Sequence, residues 1–212
     1  MDSQILPLFP LSIVVFPGEE LKLHIFEPRY KQLIHDCKKD GLSFGIPPYI
    51  EGKSLYVGTE LKLKEIKTVY EDGKMDIIAT GIGWFEIAEF YKILHGKLYP
   101  GGKIIRKPWD IESDIVLSAR LVGLIEELYH IMKITNVPIP DAQAFKTHII
   151  GHKLGLNIEQ EIHLLTLGDE VSKQKYLISH LESLIPVLVE TENLRKKAEM
   201  NGHFQNIIPP GL

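Results

Sequence analysis

The chain has 212 residues, of which 44% are hydrophobic and 25% are charged, as in an average soluble globular protein. This composition excludes extensive disorder, and the length suits one large domain or two small domains packed together. The formal net charge of -4 at pH 7 gives no general attraction to phosphate backbones, which argues against nucleic acid as a partner.

The amino terminus and the hydropathy pattern predict a soluble, cytoplasmic protein. Residues Met1 to Gln4 carry no basic region and no long apolar core, so they do not form a signal peptide. No segment reaches the roughly 18 apolar residues that a membrane span needs, so no membrane partner is expected. Cys37 is the single cysteine and falls on the apolar stripe of a predicted helix, which predicts a small buried hydrophobe.

Residues 1–110 are predicted to form a β-rich domain, and proline shapes its first strands. Pro7 and Pro10 interrupt an apolar run at 5–11, and neither can donate a ladder hydrogen bond. This pattern fits an edge strand or a bent strand better than a central one. A second short apolar run predicts another strand at 13–16.

A turn, a strand and a helix are expected next. Pro17-Gly18 suits the central positions of a type II turn, because glycine readily adopts positive φ. Apolar and polar residues alternate over 21–25, which is typical of a strand with one buried face. Glu27-Pro28 then begins a helix, since proline at the first helical position loses no hydrogen bond and the carboxylate complements the helix dipole.

The strongest hairpin signal is Asp72-Gly73, which is typical of a tight turn between two strands. The alternation of apolar residues changes phase before this turn, and a bulge near Lys64-Glu65 would reconcile the two phases. Gly81-Ile82-Gly83 is expected to bend the return strand. Further short strands are predicted at 43–50, 54–57, 84–87, 90–99 and 103–106, and such an array favours a barrel-like or coiled sheet.

Residues 111–200 are predicted to form a domain of about four helices. The first, at 113–134, is apolar nearly all round, so it lies either in the core or at a subunit interface, and a homodimer stays open. A second helix is expected from its cap at Asp141 to about 155, and a third is capped by Asn157. The last helix starts at Asp169, and Pro186 kinks or divides it. Residues 201–212 are expected to form an irregular tail.

Catalytic motifs are mostly missing from the sequence. There is no phosphate-binding G-x-x-x-x-G-K-[ST] loop and no G-x-S-x-G nucleophile elbow. His148 and His152 have the four-residue spacing of a zinc-chelating pair, but no glutamate follows His148 and no third ligand is evident. We therefore expect no catalytic residue, no metal and no cofactor.

The candidate peptide-binding residues are Trp84, Phe85 and Trp109. Trp84 follows the glycine bend and Trp109 adjoins a proline at the domain junction, so these aromatic side chains could line a groove for extended peptides. The alternative is that they fill the ends of the core.

A family resemblance rests on the opening motif and the later hairpin turn. The residues that carry it are Leu6-Pro7-Leu8-Phe9-Pro10-Leu11, Phe16-Pro17-Gly18, Leu21-x-Leu23-x-Ile25-Phe26-Glu27-Pro28-Arg29-Tyr30 and Asp72-Gly73. In order and spacing they resemble the Lon protease amino-terminal, substrate-binding domain, and the resemblance covers nearly the whole chain. One departure is that the family commonly has glycine, a variable residue and arginine after the return strand, where this chain has Gly81-Ile82-Gly83-Trp84.

The resemblance implies an α+β fold, in which a PUA-like β-barrel is followed by a helical bundle. It implies a stand-alone, non-enzymatic module without the ATPase and peptidase of Lon, which binds unfolded polypeptides or exposed hydrophobic segments and is linked to proteolysis, with an ATP-dependent protease as a further partner. The barrel edge at Pro7 and Pro10 would accept the peptide by strand addition. Glu27 and Arg29 are expected to fix the strand-to-helix corner. The alternative is a PUA-like protein that binds RNA or a small ligand, and an undetected hydrolase is the third choice.

Overall fold

The computed structural model describes residues 4–50, 52–54 and 56–204, without the side chains of 53, 54 and 200–204. Within these residues the strands are β1 Gln4–Pro7, β2 Glu20–Ile25, β3 Ser43–Ile46, β4 Tyr49–Ile50, β5 Lys53–Ser54, β6 Val57–Val69, β7 Met75–Tyr91 and β8 Gly101–Lys107. The α-helices are α1 Pro28–Asp40, α2 Ile115–Met132, α3 Thr147–Ile150, α4 Ile158–Thr166 and α5 Glu170–Phe204. Two short 3-10 helices span Ala142–Ala144 and Gly151–Lys153.

The main sheet is antiparallel and has the strand order β1-β8-β7-β6-β3, with β2 paired to β7. The chain that follows β1 runs to the other edge of this sheet, where it hydrogen-bonds to β3 and to the residues after β3. The Phe9 amide donates to the Gly45 carbonyl at 2.7 Å, and the Tyr49 amide donates to the Leu11 carbonyl at 2.8 Å. These bonds make the predicted barrel-like arrangement, and they use backbone groups that strand addition at Pro7 and Pro10 would need. That expected docking edge is therefore wrong.

The central β6–β7 hairpin confirms the turn and bulge predictions. Asp72 and Gly73 lie in the turn between the two strands, and Gly73 has a φ of +74°. The β6–β7 register shifts between Leu63 and Glu65, which is where the change of apolar phase placed a bulge. Phe16 and Glu19 likewise bracket the expected turn at Pro17-Gly18, because the Glu19 amide donates to the Phe16 carbonyl at 3.1 Å.

The strand predictions at 13–16 and, beyond the end of β7, at 92–99 are wrong. Residues 13–16 form no strand, although Val14, Val15 and Phe16 are buried, and the Thr59 hydroxyl donates to the Val15 carbonyl. Residues 92–100 turn back on themselves after β7 instead of continuing it. The 13–16 segment is apolar because it is buried as a loop, and burial in a loop leaves the same hydrophobic signal as burial in a strand. In the second segment Tyr99 and Pro100 are buried, whereas Ile93 and Leu98 are exposed, so its apolar residues do not form one face of a strand.

Helix α1 begins and ends where local chemistry predicts. Glu27 is its N-cap, Pro28 is its first residue, and Gly41 closes it in the left-handed conformation with a φ of +68°. Its buried side chains join the main core of the sheet, and full burial of each large apolar one contributes roughly 1.5–3 kcal/mol. They are Tyr30, Leu33, Ile34 and Cys37.

The domain organisation differs from a single division near residue 110. One compact unit contains the chain up to Ile111 together with His148–Asp169, and the other contains Glu112–Thr147 together with the chain from Glu170. The returning segment joins the β-rich unit because its residues contact the turn before β2. The His152 ring lies 4.8 Å from the Phe16 ring, for example, so packing overrides the boundary that composition suggests.

The second unit consists largely of α2 and α5, and hydrogen bonds between polar side chains and the backbone connect these two helices. The Gln174 side chain accepts from the Asp114 amide at 3.0 Å and donates to the Ser118 hydroxyl at 2.8 Å. Asp114 also caps α2, as its carboxylate accepts the Val116 amide at 2.8 Å. No helix in the described residues is long and apolar enough to cross a bilayer.

The remaining helical predictions are partly wrong. The helix expected from Asp141 to 155 is broken into α3 and the two 3-10 helices, because Phe145 adopts an extended conformation. Helix α5 continues through Pro186 without being divided, and it includes residues 201–204 of the expected tail. The rest of that tail, 205–212, lies outside the described residues.

Candidate functional site

Two of the sequence-predicted binding residues lie in the interior of the β-rich unit. Phe85 is fully buried and packs with the apolar side chains that β1 and β8 contribute. Trp84 is 5% exposed, and its indole N–H donates to the Pro108 carbonyl at 3.0 Å. Trp109 is half-buried. The core-filling alternative therefore holds for Trp84 and Phe85, and neither offers a surface to a peptide.

The β-rich unit instead carries a groove of about 620 Å³ with aromatic walls. Tyr49, Tyr56 and Phe90 line it, and their exposed fractions are 42%, 71% and 37%. Ile87 and Pro100 also line it, and both are buried. Three large, partly exposed aromatic side chains in one concave surface are a typical arrangement for holding apolar ligand groups.

Closure of the sheet brings these side chains together from distant parts of the sequence. The Tyr49 carbonyl accepts the Ser12 hydroxyl at 2.9 Å, and the Tyr56 carbonyl accepts the Ile87 amide at 2.7 Å. The Leu8 amide donates to the Pro100 carbonyl at 2.9 Å. Hydrogen bonds to the backbone carbonyls of Tyr49, Tyr56 and Pro100 therefore hold the residues of the groove in place.

Arg29 and Tyr30, from the first turn of α1, also line the groove. The Arg29 Nε donates to the Glu27 carboxylate at 2.8 Å, as expected for a pair that fixes the strand-to-helix corner. The guanidinium carbon lies 4.5 Å from the centre of the Tyr30 ring, and that ring stacks on Phe9 at 3.8 Å. Burial raises the pKa of Tyr30.

The buried Glu60 carboxylate forms an ion pair with the exposed Arg106 side chain near Gly83, where the sequence departs from the family pattern. Glu60 lies opposite Gly83 in the β6–β7 register, and its carboxylate accepts from Arg106 Nε at 2.6 Å and Nη2 at 2.8 Å. Burial alone would raise the pKa of Glu60, but hydrogen bonds from Arg106 and Ser43 lower it below its usual value. Arg106, on β8, therefore connects to β6 through Glu60 at this part of the barrel.

His148 and His152 do not converge as a zinc pair would. His152 Nδ1 bonds the Glu161 carboxylate at 2.7 Å and Nε2 bonds Glu19 at 3.1 Å, whereas the His148 ring lies against Gly18. Burial lowers the pKa of His152, but the two carboxylates outweigh it and raise that pKa to about 9. Among the described residues no group of three metal-ligating side chains is present. The arrangement is a charged clamp within the β-rich unit.

Local sequence signals could not have located the groove, because its walls are single residues in separate loops and strand ends. The one usable signal was the opening motif, whose Arg29 and Tyr30 form part of the lining. Exposed aromatics at Tyr49 and Tyr56 carry no periodic pattern that distinguishes them from core residues.

The fold resembles solved Lon amino-terminal domains. A Lon N-terminal domain protein from Xanthomonas campestris is 23% identical, with a TM-score of 0.65 over 83% of this chain and 98% of that one. The N-terminal domain of Mycobacterium avium complex Lon protease is 15% identical, with a TM-score of 0.59 over 84% and 98%. The family model of the ATP-dependent protease La (LON) substrate-binding domain matches residues 5–197. The chain therefore belongs to the LON substrate-binding domain family.

Proposed function

We propose that this protein is a cytoplasmic, non-catalytic binding module that holds unfolded or exposed hydrophobic polypeptide segments in the aromatic groove of its β-rich unit. The observation that carries the proposal is the presence of Tyr49, Tyr56 and Phe90 together on one concave surface. Family membership supports a substrate-binding role. In this role the protein would act with a separate ATP-dependent protease, which would degrade the bound polypeptide.

The dimensions of the groove suit side chains of an extended segment. Its volume of about 620 Å³ lies within the roughly 300–1,000 Å³ of pockets that enclose small ligands. Tyrosine and phenylalanine supply large contact areas at a low cost in conformational entropy, and such residues dominate binding energy at interfaces. An unfolded chain presents the apolar side chains that these walls would contact, whereas a folded protein buries them.

The proposal is tested with a reduced model protein whose cysteines are blocked by iodoacetamide, so that it stays unfolded without added charge. A double variant, Tyr56→Ala with Phe90→Ala, is expected to bind it at least about tenfold more weakly, since truncation of an interface anchor commonly costs 1–2 kcal/mol. The matched control is Phe26→Ala, because Phe26 is 58% exposed and lies outside the groove. Equal losses in both variants, or binding of the native model protein as tightly as the unfolded one, would contradict the proposal.

Absence of catalysis is tested separately. We expect the pure protein to hydrolyse neither ATP nor a casein substrate above the rate of a buffer control. Hydrolysis of ATP or casein that the purified protein shows and the groove double variant lacks would overturn the assignment as a binding module.

A further inference from the structure

Among the described residues that line the groove, the charged side chains are both cationic. They are Arg29 in α1 and Lys92, which follows the end of β7, and no carboxylate is among the described lining residues. The rest of the lining is tyrosine, phenylalanine, isoleucine, proline and glycine. A surface that is aromatic and cationic is complementary to a ligand that is apolar and anionic.

Arg29 is oriented before any ligand binds. Its Nε and Nη2 both lie 2.8 Å from the Glu27 carboxylate, and its plane lies over the Tyr30 ring. A guanidinium carries five N–H donors in a fixed fork, so donors beyond those used by Glu27 remain for a ligand. The group is thus held in place at little further entropic cost.

Lys92 has no ion pair or hydrogen bond within the described part of the chain. The nearest acidic neighbours in the sequence are engaged elsewhere: Glu89 accepts from the Tyr91 hydroxyl at 2.8 Å, and Glu86 pairs with Lys107 at 2.7 Å. The Lys92 ammonium therefore supplies a second, uncommitted positive charge at the groove.

We propose that the groove selects polypeptide segments in which a carboxylate adjoins aromatic or aliphatic side chains. Arg29 and Lys92 bind the carboxylate, and the walls formed by Tyr49, Tyr56 and Phe90 contact the apolar neighbours. The inference rests on the proposed function and narrows its substrate class. The carboxylate comes either from the free end of a chain or from an Asp or Glu side chain, because both present the same pair of acceptor oxygens.

Binding of a carboxylate here is favourable for two physical reasons. Hydrogen bonds from a guanidinium or an ammonium to a carboxylate are charge-assisted and stronger than neutral ones. The apolar walls and the bound apolar side chains exclude water, which lowers the effective dielectric and strengthens the attraction further. A neutral amide at the same position would give Lys92 no anionic partner and would leave Arg29 with Glu27 alone.

The experiment compares four short peptides with one aromatic sequence and a neutral fluorophore, measured by fluorescence anisotropy. One pair differs only in a free or an amidated carboxyl terminus, and the other pair, both amidated, differs only in one internal Asp or Asn. We expect a carboxylate-bearing peptide to bind at least about fivefold more tightly than its neutral counterpart, with the difference decreasing as salt increases. The pair that shows the difference identifies the source of the carboxylate.

Variants connect this difference to the two cations. Lys92→Met is expected to reduce the ratio of the two affinities, because it removes one of the two cations that bind the carboxylate, and Arg29→Gln should reduce it for the same reason. Since Arg29 also braces the α1 corner, Lys92→Met carries the test if the Arg29 variant unfolds. Lys67→Met is the matched control, because Lys67 is exposed on β6 and lies outside the lining.

The outcomes separate the inference from the function on which it rests. Equal affinity for all four peptides, or an unchanged ratio in Lys92→Met, would overturn the carboxylate selectivity and leave polypeptide binding intact. If neither the peptides nor the unfolded model protein bind, both proposals fail.

Discussion

The clamp formed by His152, Glu19 and Glu161 should make the stability of the β-rich unit depend on pH. The protonated imidazole donates to both carboxylates, and it connects the turn before β2 to α4. Glutamine at position 152 keeps a comparable volume but carries no positive charge. We therefore expect His152→Gln to destabilise the unit near neutral pH and to have a much smaller effect in alkaline solution.

The magnitude follows from the raised pKa. A rise from 6.5 to about 9 corresponds to roughly 3.4 kcal/mol at 1.36 kcal/mol per pKa unit. The His152 side chain is 32% exposed, and solvent screening reduces this to about 1–2 kcal/mol. Because the folded state raises the pKa, this stabilisation is complete below the unfolded pKa of 6.5 and is lost as pH rises through about 9.

At the acidic end the carboxylate of Glu19 governs the same clamp. Burial raises the pKa of Glu19, but the hydrogen bonds from His152 and the Phe16 amide lower it below the usual value of 4.5. Its stabilising contribution is therefore present above 4.5 and is lost as pH falls through the lowered folded pKa.

The assay is denaturant unfolding followed by tryptophan fluorescence from about pH 6 to about pH 10. Both tryptophans of the chain, Trp84 and Trp109, belong to the β-rich unit, so the signal reports that unit. The free energy of unfolding of the wild type should fall by about 1–2 kcal/mol across this range relative to His152→Gln. His95→Gln, at an exposed position, is the control. If wild type and His152→Gln show the same pH dependence, the assignment of the clamp is wrong.

Three further predictions concern packing, charge and reactivity. A Cβ at Gly45 would lie 2.5 Å from a buried phenylalanine ring carbon, so Gly45→Ala should cost about 2 kcal/mol in chemical unfolding, whereas Gly83→Ala, with nothing within 4 Å, should cost little. Arg106→Met should destabilise the β-rich unit by about 2 kcal/mol, because it leaves the buried Glu60 carboxylate without its cationic partner. This loss of stability should decrease in acid as Glu60 takes up a proton, and a pH-independent loss would contradict this reason. Cys37, whose pKa burial raises to about 12, should react with a thiol reagent only on unfolding, and rapid labelling of the native protein would show otherwise.

Local chemistry was sufficient to predict the elements whose ends are determined by neighbouring residues. The Glu27-Pro28 helix start needs no knowledge of the rest of the fold, and neither does the Asp72-Gly73 turn. The same is true of α4, where Asn157 and Gln160 form a capping box. By contrast, the loop at 13–16 was mistaken for a strand, because tertiary burial and strand burial place the same residue types in a sequence.

The candidate site lies beyond such local rules for a further physical reason. Tyr49 and Phe90 become neighbours only because the chain after β1 closes the sheet and the segment after β7 turns back before β8. Trp84 is a binding candidate from the sequence because large aromatics are enriched at binding surfaces, yet they also fill cores, and composition cannot separate the two. Core residues and binding-surface residues differ in whether their polar atoms have a hydrogen-bond partner inside the protein. The Trp84 indole N–H donates to a carbonyl inside the unit, whereas Lys92 is exposed and lines the groove beside exposed aromatic rings. The binding surface is therefore expected where polar groups have no partner inside the described part of the protein.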